Sequence, residues 1–374
     1  MKRKIYAVIM AGGKGTRFWP LSRPERPKQL LKLLSPKSLI RETVERAAPL
    51  FGRRNVLVVT VDEHQRAMRA ELPMLPKANF LIEPQGKNTA PCIGLAAVEL
   101  AARDPGAVMV VLPADHWVSD PRRFSRTLNA AARLAGRHDA LFTIGVRPAY
   151  PETGYGYILK GKREARRASF YRVRGFAEKP DVKKARRLIA RGALWNSGIF
   201  IWRVSAILAA FRRHAPEVAR GLERIQKIAA AGRGGGLGAL PPRLEKALRR
   251  EYRRMPSVSI DYAVLEKAGS EGEVRTLEAD FGWSDVGNWD ALHRMLPKDA
   301  AGNAGVGRRL GFRSQNCLAY SSSPRRLIAL LGMQNTVVVD TPDAVLVADL
   351  RRPQEIKDLI EELNRRGLAR YAFR

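Results

Sequence analysis

The sequence predicts an α/β fold: a doubly wound, mostly parallel sheet, followed by a small β-rich module. Segments with helical spacing, such as residues 40–51 and 89–103, separate short apolar runs in the first half of the chain. Continuous apolar runs of this length are typical of strands buried on both faces. Strands that alternate with helices form parallel sheets, which bind ligands at the carboxyl ends of their strands. The four apolar runs are residues 5–10, 55–60, 107–112 and 140–146.

The remaining elements follow from the same patterns. Residues 155–159, 169–177 and 199–202 are predicted strands, and residues 182–191 are a predicted helix. A helical stretch is expected over residues 204–231, ending in a flexible linker or loop at residues 232–236, which is rich in glycine. Beyond residue 299 short β-rich pieces follow one another, and an amphipathic helix at residues 353–366 follows them. We therefore predict two domains, residues 1–299 and 300–374.

Composition excludes several classes of protein. Of the 374 residues 45% are hydrophobic, which is enough for a sizeable core. The two cysteines, Cys92 and Cys317, are too few for a disulfide-built secreted domain and lack metal-ligand spacing. No apolar run reaches the length of a membrane span, which is about 18–20 residues. We therefore expect a protein of the reducing cytoplasm with no membrane partner.

The charge balance points to anionic partners. Lysine and arginine number 67 against 36 acidic residues, a net charge of +31. Such an excess favours binding of polyanions, which include nucleic acids, anionic membranes and phosphorylated small molecules. The basic clusters, such as residues 163–167, lack interleaved aromatic residues and any nucleic-acid-binding motif. No specific nucleic-acid partner is expected.

A glycine-rich segment follows the first predicted strand directly. Glycines at such a position let backbone N–H groups approach a phosphate closely. The segment GGKGTRF matches neither the dinucleotide fingerprint nor the P-loop, so a plain turn at the strand exit is an alternative. The basic residues Lys14, Arg17 and Lys28 in and after this segment favour triphosphate binding.

Eight motifs in order resemble those of the nucleotidyltransferases that make nucleoside-diphosphate sugars, most closely the mannose-1-phosphate guanylyltransferases. They span about residues 5–295, and the family's small β-helical module fits the region after residue 299. The resemblance implies transfer of GMP from GTP to mannose 1-phosphate. The same chemistry on another sugar or nucleotide, or a non-catalytic polyanion-binding protein on the same fold, stays open. The motifs are GGKGTRFWPLSRPERPKQ, EPQGKNTAPC, LPADH, TGYGYI, FAEKP, WNSGIFIW, SIDYAVLEK and WSDVGNW.

This reaction needs charge neutralisation rather than a general base. A phosphate monoester is mostly dianionic at neutral pH, and it must meet another polyanion in line. Arg17 and Lys28 are expected to hold the β- and γ-phosphates together with the backbone amides of the glycine-rich segment. The amides are those of Gly12, Gly13, Gly15 and Thr16.

Two carboxylates are candidate metal ligands. Asp115 ends an apolar run, and an acidic residue at a strand's carboxyl end is a good oxygen ligand for Mg²⁺. The alternative, a cap for the following helix, suits Ser119 or Asp120 better. The resemblance implies that Asp115 and Asp285 hold one Mg²⁺ between them.

Two further motifs are expected to contact the base and the sugar. Glu83 is the candidate for reading guanine, since a carboxylate can accept from two of its N–H groups, although pairing with an arginine is the alternative. Three residues of the same motif, Gly86, Asn88 and Thr89, would line the base and ribose. The resemblance implies a sugar-phosphate site at Gly154, Glu178, Lys179 and Asn196, where a surface ion pair of Glu178 with Lys179 is the alternative. We also expect a homodimer.

Overall fold

The computed structural model describes residues 3–13, 15–164, 170–232, 236–238 and 240–373. Lys14, most of the basic cluster at residues 163–167 and the middle of the predicted glycine-rich loop lie outside these residues. Seventeen strands and twelve helices are found in the described part of the chain.

The strands are β1 (Ile5–Ala11), β2 (Val56–Val61), β3 (Phe80–Glu83), β4 (Val108–Pro113), β5 (Trp117–Val118), β6 (Leu141–Val146), β7 (Tyr157–Arg163), β8 (Phe170–Ala177), β9 (Leu194–Arg203), β10 (Val274–Ala279), β11 (Trp283–Ser284), β12 (Ala304–Val306), β13 (Arg308–Phe312), β14 (Leu318–Ser321), β15 (Leu327–Leu331), β16 (Thr336–Asp340) and β17 (Val345–Asp349).

The helices are α1 (Leu39–Phe51), α2 (Gln65–Glu71), α3 (Thr89–Arg103), α4 (Pro121–Arg137), α5 (Val182–Ala190), α6 (Val204–His214), α7 (Pro216–Ala231), α8 (Pro242–Arg254), α9 (Glu266–Ser270), α10 (Trp289–Met295), α11 (Ile356–Arg365) and α12 (Ala369–Phe373). A π-helical turn, Asp261–Leu265, leads into α9.

The described residues form two compact units, each built from separate segments of the chain. Unit 1 is drawn from Met1–Gly12, Glu42–Ala114 and Val118–Trp283. Unit 2 is drawn from Gly13–Arg41, Asp115–Trp117 and Ser284–Arg374. The predicted domains, residues 1–299 and 300–374, are a different division of the chain and stay a prediction.

Unit 1 contains a nine-stranded sheet in the order β3-β2-β1-β4-β9-β6-β10-β8-β7. β1, β2, β3 and β4 pair in parallel, as do β6 and β10. Only β8 and β9 run against the other seven strands. The sheet is therefore mostly parallel, as predicted, with two antiparallel strands that the sequence patterns did not reveal.

The strands of unit 1 are covered on both faces. Val8 of β1 belongs to a core that includes buried residues of α3, α6, α7 and α8. Its neighbours Ala7 and Ile9 are fully buried outside that core. Because successive side chains of a strand point to opposite faces, burial of all three means that both faces are covered.

The C-terminal part of unit 2 is a β-helical winding. β12, β14 and β16 pair in parallel in one sheet, while β13 and β15, which alternate with them along the chain, pair in parallel in another. The antiparallel strand β17 ends the first sheet, and α11 follows. The predicted α/β fold with a β-rich module is confirmed.

Two helical features go beyond the sequence patterns. The predicted helical stretch at residues 204–231 is helical apart from residue 215 and consists of two helices, because Pro216 cannot continue α6 and begins α7. Helix α8 was not predicted, since its residues are mostly charged. None of the described helices combines the length and apolar character that a membrane crossing requires.

Candidate functional site

The residues predicted to handle phosphate and metal meet at the Lys28 ammonium in unit 2. Lys28 Nζ lies 2.7 Å from Asp115 Oδ2 and donates to the main-chain carbonyl of Asp285 at 2.5 Å. The lysine is 6% exposed, whereas one third of the Asp115 side chain is exposed. A buried cation therefore joins the two predicted metal ligands, although 170 positions separate Asp115 from Asp285 in the chain.

Aromatic packing within unit 2 fixes these residues. Phe18 and Trp289 are fully buried and meet edge to face, with 5.0 Å between their ring centroids. The Trp289 indole N–H donates to the Trp19 carbonyl at 3.1 Å. This core holds the segment of Lys28 against the segment of Asp285, so both predicted motifs contribute to one cluster.

The glycine-rich segment is shaped around Lys28. Gly15 has a φ of +64°, and a Cβ atom there would lie 2.2 Å from Lys28 Cβ. Only glycine combines this conformation with so close an approach. A Cβ on Gly13, in contrast, would meet nothing within 4 Å. Thr16 begins the short helical turn Thr16–Phe18.

Arg17, on the same turn, carries a buried Nε without a hydrogen-bond partner among the described residues. Buried polar atoms are nearly always paired, so an orphaned donor needs an explanation. Donation to a phosphate oxygen would satisfy it. The orphaned donor supports the predicted phosphate contact of Arg17.

The Asp115 carboxylate is held in its charged form. Burial by itself raises its pKa, but the Lys28 ammonium and His116 outweigh burial, so the pKa of Asp115 lies below its ordinary value. The capping alternative for Asp115 is excluded, because Asp120 caps α4 by accepting from the Arg123 amide at 2.9 Å. Asp115 therefore presents an anion near the Lys28 cation.

The donor set fits a hard divalent cation. Carboxylate oxygens are the ligands that Mg²⁺ prefers, usually one or two per site with substrate oxygens and waters. Gly287 leaves space beside Asp285, since a Cβ there would lie 3.0 Å from the carboxylate. Val286 between them has a φ of +45°, which is rare for a β-branched residue. Backbone strain of this kind is frequent at functional sites.

Glu83 lies in the interior of unit 1. It is 2% exposed and accepts hydrogen bonds from the Tyr252 hydroxyl and the Cys92 thiol. Burial raises the pKa of Glu83 to about 7, although these two hydrogen bonds lower it. A Cβ on Gly12 would lie 3.2 Å from its Oε2, so the carboxylate lies directly beside the glycine-rich segment. The alternative of a pairing with an arginine is not found among the described residues.

The rest of this motif caps α3. The Asn88 side chain accepts from the Thr89 amide at 2.8 Å, and Asn88 has a φ of +67°. The Thr89 hydroxyl accepts from the Ile260 amide at 2.8 Å. Gly86 is exposed, and a Cβ there would make an ordinary 3.7 Å contact. Through Thr89 this motif is therefore hydrogen-bonded to Ile260, the residue before Asp261. The contact connects the predicted base motif with the segment that adjoins the predicted sugar residues within unit 1.

Both polar atoms of the Asn196 side chain, on β9, form hydrogen bonds within the protein. Its Oδ1 accepts from the Thr143 hydroxyl at 3.4 Å and from the Gly198 amide at 3.3 Å. Its Nδ2 donates to Asp261 Oδ1 at 2.9 Å. An amide nitrogen has two donors, and the described residues accept only one of them, so one N–H remains for a ligand.

Glu178 lies beside the same group. Its carboxylate pairs with Lys179 Nζ at 2.8 Å, so the ion pair given above as the alternative is present, and Lys179 has a φ of +42°. A Cβ on Gly156 would lie 2.6 Å from Glu178 Oε2 and 3.5 Å from Asn196 Cβ. Gly156 thus abuts both predicted sugar residues, whereas the predicted Gly154 donates to Glu152 Oε1 at 2.9 Å.

Sequence reasoning missed three residues of these clusters, namely Tyr252, Gly156 and Asp261. Burial and the neighbouring Glu178 carboxylate raise the pKa of Asp261 to about 6, although the Asn196 hydrogen bond lowers it. Asp261 begins the π-helical turn, a feature frequent at functional sites. Its motif was recognised, but nothing in the spacing indicated its contact with Asn196.

Family models match nearly the whole chain. One described as "Nucleotidyl transferase" matches residues 6–302. Another, described as "MannoseP isomerase/GMP-like beta-helix domain", matches residues 307–363. The second match agrees with the β-helical winding of unit 2.

Relatives are similar over almost the full chain. The xanthan biosynthesis protein XanB of Xanthomonas campestris is 38% identical over 97% of this chain and 74% of its own length. A mannose-1-phosphate guanylyltransferase of Escherichia coli is 37% identical over 98% of this chain and 75% of its own. The crystal structure of a mannose-1-phosphate geranyltransferase from Thermus thermophilus has a TM-score of 0.84 and 35% identity, covering 96% of this chain and 99% of that one.

Proposed function

Because the chain belongs to the nucleotidyl transferase family, as its motifs predicted, we propose that it is a mannose-1-phosphate guanylyltransferase. The 1-phosphate oxygen of mannose 1-phosphate attacks the α-phosphorus of GTP, and the bond to the bridging oxygen of the β-phosphate breaks. The products are GDP-mannose and pyrophosphate. The buried Lys28 ammonium, in contact with Asp115 and Asp285, is the observation that carries this proposal.

Lys28 and Arg17 are proposed to neutralise the β- and γ-phosphates and to stabilise the leaving pyrophosphate. Both are arranged before substrate arrives, which makes electrostatic stabilisation effective. The amides of Gly12, Gly13, Gly15 and Thr16 would contribute further donors. No nucleophilic side chain is required, because the sugar phosphate is itself the nucleophile.

The family generally uses a divalent metal ion. We assign Mg²⁺ to Asp115 and Asp285, whose oxygen donors suit it. When bound, Mg²⁺ supplies positive charge that offsets repulsion between the two phosphates. Asp115 is kept ionised by Lys28 and can serve as a ligand at neutral pH.

Glu83, Gly86, Asn88 and Thr89 are proposed to bind the base and ribose. If Glu83 reads guanine, Glu83→Gln reduces the preference for GTP over ATP by roughly 1–3 kcal/mol, the scale of one bidentate base contact. An equal loss with GTP and ITP assigns the contact to the ring N1–H, and an unchanged preference removes Glu83 from base recognition.

Gly154, Glu178, Lys179 and Asn196 are proposed to bind the sugar phosphate. The N–H of Asn196 to which no described residue is an acceptor suits a sugar hydroxyl. Lys179 is more than half exposed and supplies a point charge suited to the 1-phosphate. We also propose a cytoplasmic homodimer that binds no specific nucleic acid.

Incubation of the chain with each of several nucleoside triphosphates and sugar 1-phosphates plus Mg²⁺, followed by chromatography of the products, tests the proposal. GDP-mannose as the dominant product, formed with equimolar pyrophosphate, is expected. A dominant product with another base or sugar contradicts the substrate assignment. A panel that gives no product contradicts enzymatic function and favours the non-catalytic alternative.

A further inference from the structure

Unit 2 contains a cavity of about 640 Å³ that opens widely to solvent and to which none of the predicted site residues contributes. Its walls come from the turn at residues 20–26, from residues 322 and 341–343, and from α12. Small-molecule sites typically span about 300–1,000 Å³. The cavity therefore has room for an organic molecule and not only for an inorganic ion.

The lining carries a surplus of positive charge. Its charged residues are Arg23, Arg26, Arg370 and Asp343. Arg23 is 8% exposed and already engaged, since its guanidinium lies 3.1 Å from Asp343. Arg26 and Arg370 are exposed, and neither pairs with a carboxylate in the described part of the chain. The surplus of two charges equals the charge of a phosphomonoester dianion.

Arg370 is held in place for binding. Its guanidinium lies over the Tyr371 ring, 4.6 Å from the centroid, and donates to the Tyr371 hydroxyl at 2.7 Å. The Trp19 indole N–H donates to the Tyr371 carbonyl at 2.8 Å, which anchors α12 to the core of unit 2. A planar guanidinium fixed in this way suits phosphate oxygens better than a mobile lysine would.

The cavity wall continues directly into Lys28. Arg23 and Arg26 close a tight turn through two main-chain hydrogen bonds of 3.1 and 3.0 Å. Pro27 follows, and then Lys28. A ligand that displaces Arg26 therefore also displaces the short segment that positions the Lys28 ammonium beside Asp115.

We propose that this cavity binds the phosphate group of a small phosphorylated metabolite through Arg26 and Arg370, at a site separate from the predicted substrate residues. Binding shifts the turn at residues 23–26 and thereby changes turnover through Lys28. The binding site is independent of the proposed function, whereas its effect on turnover rests on the guanylyltransferase activity.

Calorimetric titration of the full chain with mannose 6-phosphate, GMP and inorganic phosphate tests the site. At least one of the two organic phosphomonoesters is expected to bind with a Kd below about 1 mM. R26Q and R370Q each weaken that binding by about tenfold, because each removes a charge-assisted contact. R325Q, at an exposed arginine outside the lining, is the matched control and leaves the affinity unchanged.

Two results of the titration would contradict the proposed phosphate site. If the affinity is the same in the wild type, R26Q and R370Q, the phosphate binds elsewhere on this basic protein. If inorganic phosphate binds as tightly as the organic compounds, the cavity holds a free ion and not a metabolite. In either case the proposal is wrong.

The effect on turnover is measured as GDP-mannose formation at subsaturating GTP, with and without whichever of mannose 6-phosphate and GMP binds in the titration. A change of about fivefold or more is expected in the wild type and R325Q, and R370Q should need about tenfold more of the compound for the same change. Binding without a change in rate contradicts the coupling through Lys28. If the chain has no guanylyltransferase activity, the proposed function is wrong. The titration then still shows whether the cavity binds a phosphorylated metabolite.

Discussion

The Lys28 ammonium lies 2.7 Å from the Asp115 carboxylate and also touches the main chain of Asp285. The two aspartates therefore relate to Lys28 differently, since Asp115 uses its side chain and Asp285 its carbonyl oxygen. Substitution of the Asp285 side chain leaves both Lys28 contacts in place. Substitutions of the two aspartates can therefore distinguish a loss of metal binding from a displacement of Lys28.

Asp115→Asn and Asp285→Asn are each expected to lower kcat by at least about 10²-fold, the scale of losing one electrostatic stabiliser. D285N keeps the Lys28 contacts, so its loss does not come from displacement of Lys28. The double variant should be little worse than either single variant, because residues that act as one unit are not additive. Steady-state kinetics at saturating Mg²⁺ measures all three.

Asp290→Asn is the control, at a carboxylate that pairs with Arg294 within α10, the helix that follows Asp285 along the chain. It should keep near-normal turnover. The assignment of Asp285 is falsified if D285N retains normal kcat with an intact circular dichroism spectrum.

Gly15→Ala tests the shape of the glycine-rich segment. An alanine at a φ of +64° costs about 1–2 kcal/mol, and its Cβ would lie 2.2 Å from Lys28 Cβ. Lys28 must move, so kcat should fall by at least about tenfold, the rate change that about 1.4 kcal/mol in the barrier produces. Gly332→Ala is the matched control, because Gly332 has the same φ of +64° and a Cβ there would meet nothing within 4 Å. Equal activities of G15A and G332A would show that the close approach to Lys28 is unimportant.

The sequence predicted the elements whose signals are local. The apolar run of β1 and the glycines after it indicated a buried strand and a loop, and the motifs indicated Lys28 and Asp115. Contacts that depend on tertiary packing could not be predicted from the sequence. Tyr252 reaches Glu83 across 169 positions from a helix whose charged sequence hides its buried face. No local pattern shows which residue an isolated tyrosine will meet.

Glu83 should make the stability of the protein depend on pH. Its pKa is about 7 in the folded chain against an ordinary 4.5, so the folded state holds the proton more tightly. This contribution to stability is complete below pH 4.5 and is lost as the pH rises to about 7. Its full size is roughly 3 kcal/mol, from 1.36 kcal/mol per pKa unit.

Urea unfolding of the wild type and E83Q at pH 5 and pH 8 measures this contribution. The stability advantage of the wild type over E83Q should be smaller at pH 8 than at pH 5. E63Q, which removes an exposed carboxylate, is the matched control. An advantage over E83Q that is the same at both pH values would show that Glu83 is not protonated in the fold.

The net charge of +31 predicts weak and unspecific binding to duplex DNA. Non-specific binding of this kind has a Kd of about 10⁻⁴–10⁻⁶ M and falls steeply with salt. Fluorescence anisotropy with two unrelated duplexes should give equal affinities that vanish together as salt increases. Sequence-selective binding that survives about 0.2 M salt would support a nucleic-acid function instead.

Asp261 is expected to act on the sugar phosphate through Asn196. Its Oδ1 accepts the Asn196 amide at 2.9 Å, which leaves one N–H of that amide for a sugar hydroxyl. Asp261→Ala removes the acceptor and lets the amide turn, so the KM for mannose 1-phosphate should rise about tenfold, the effect of one lost hydrogen bond of about 1–1.5 kcal/mol. Asp261→Asn keeps an acceptor oxygen at the same place and should preserve KM to within about threefold.

The pH dependence distinguishes positioning from a merely structural role. Because the pKa of Asp261 is about 6, its charge beside Glu178 is lost as the pH falls below 6. Across this midpoint the KM for mannose 1-phosphate should change by up to about threefold more in the wild type than in D261N, because the substrate phosphate titrates with both proteins and Asp261 only in the wild type. The measurement is KM and kcat from pH 5 to 8 in both proteins. Identical pH profiles, or a fall in kcat of D261A with KM unchanged, would place the role of Asp261 outside sugar binding.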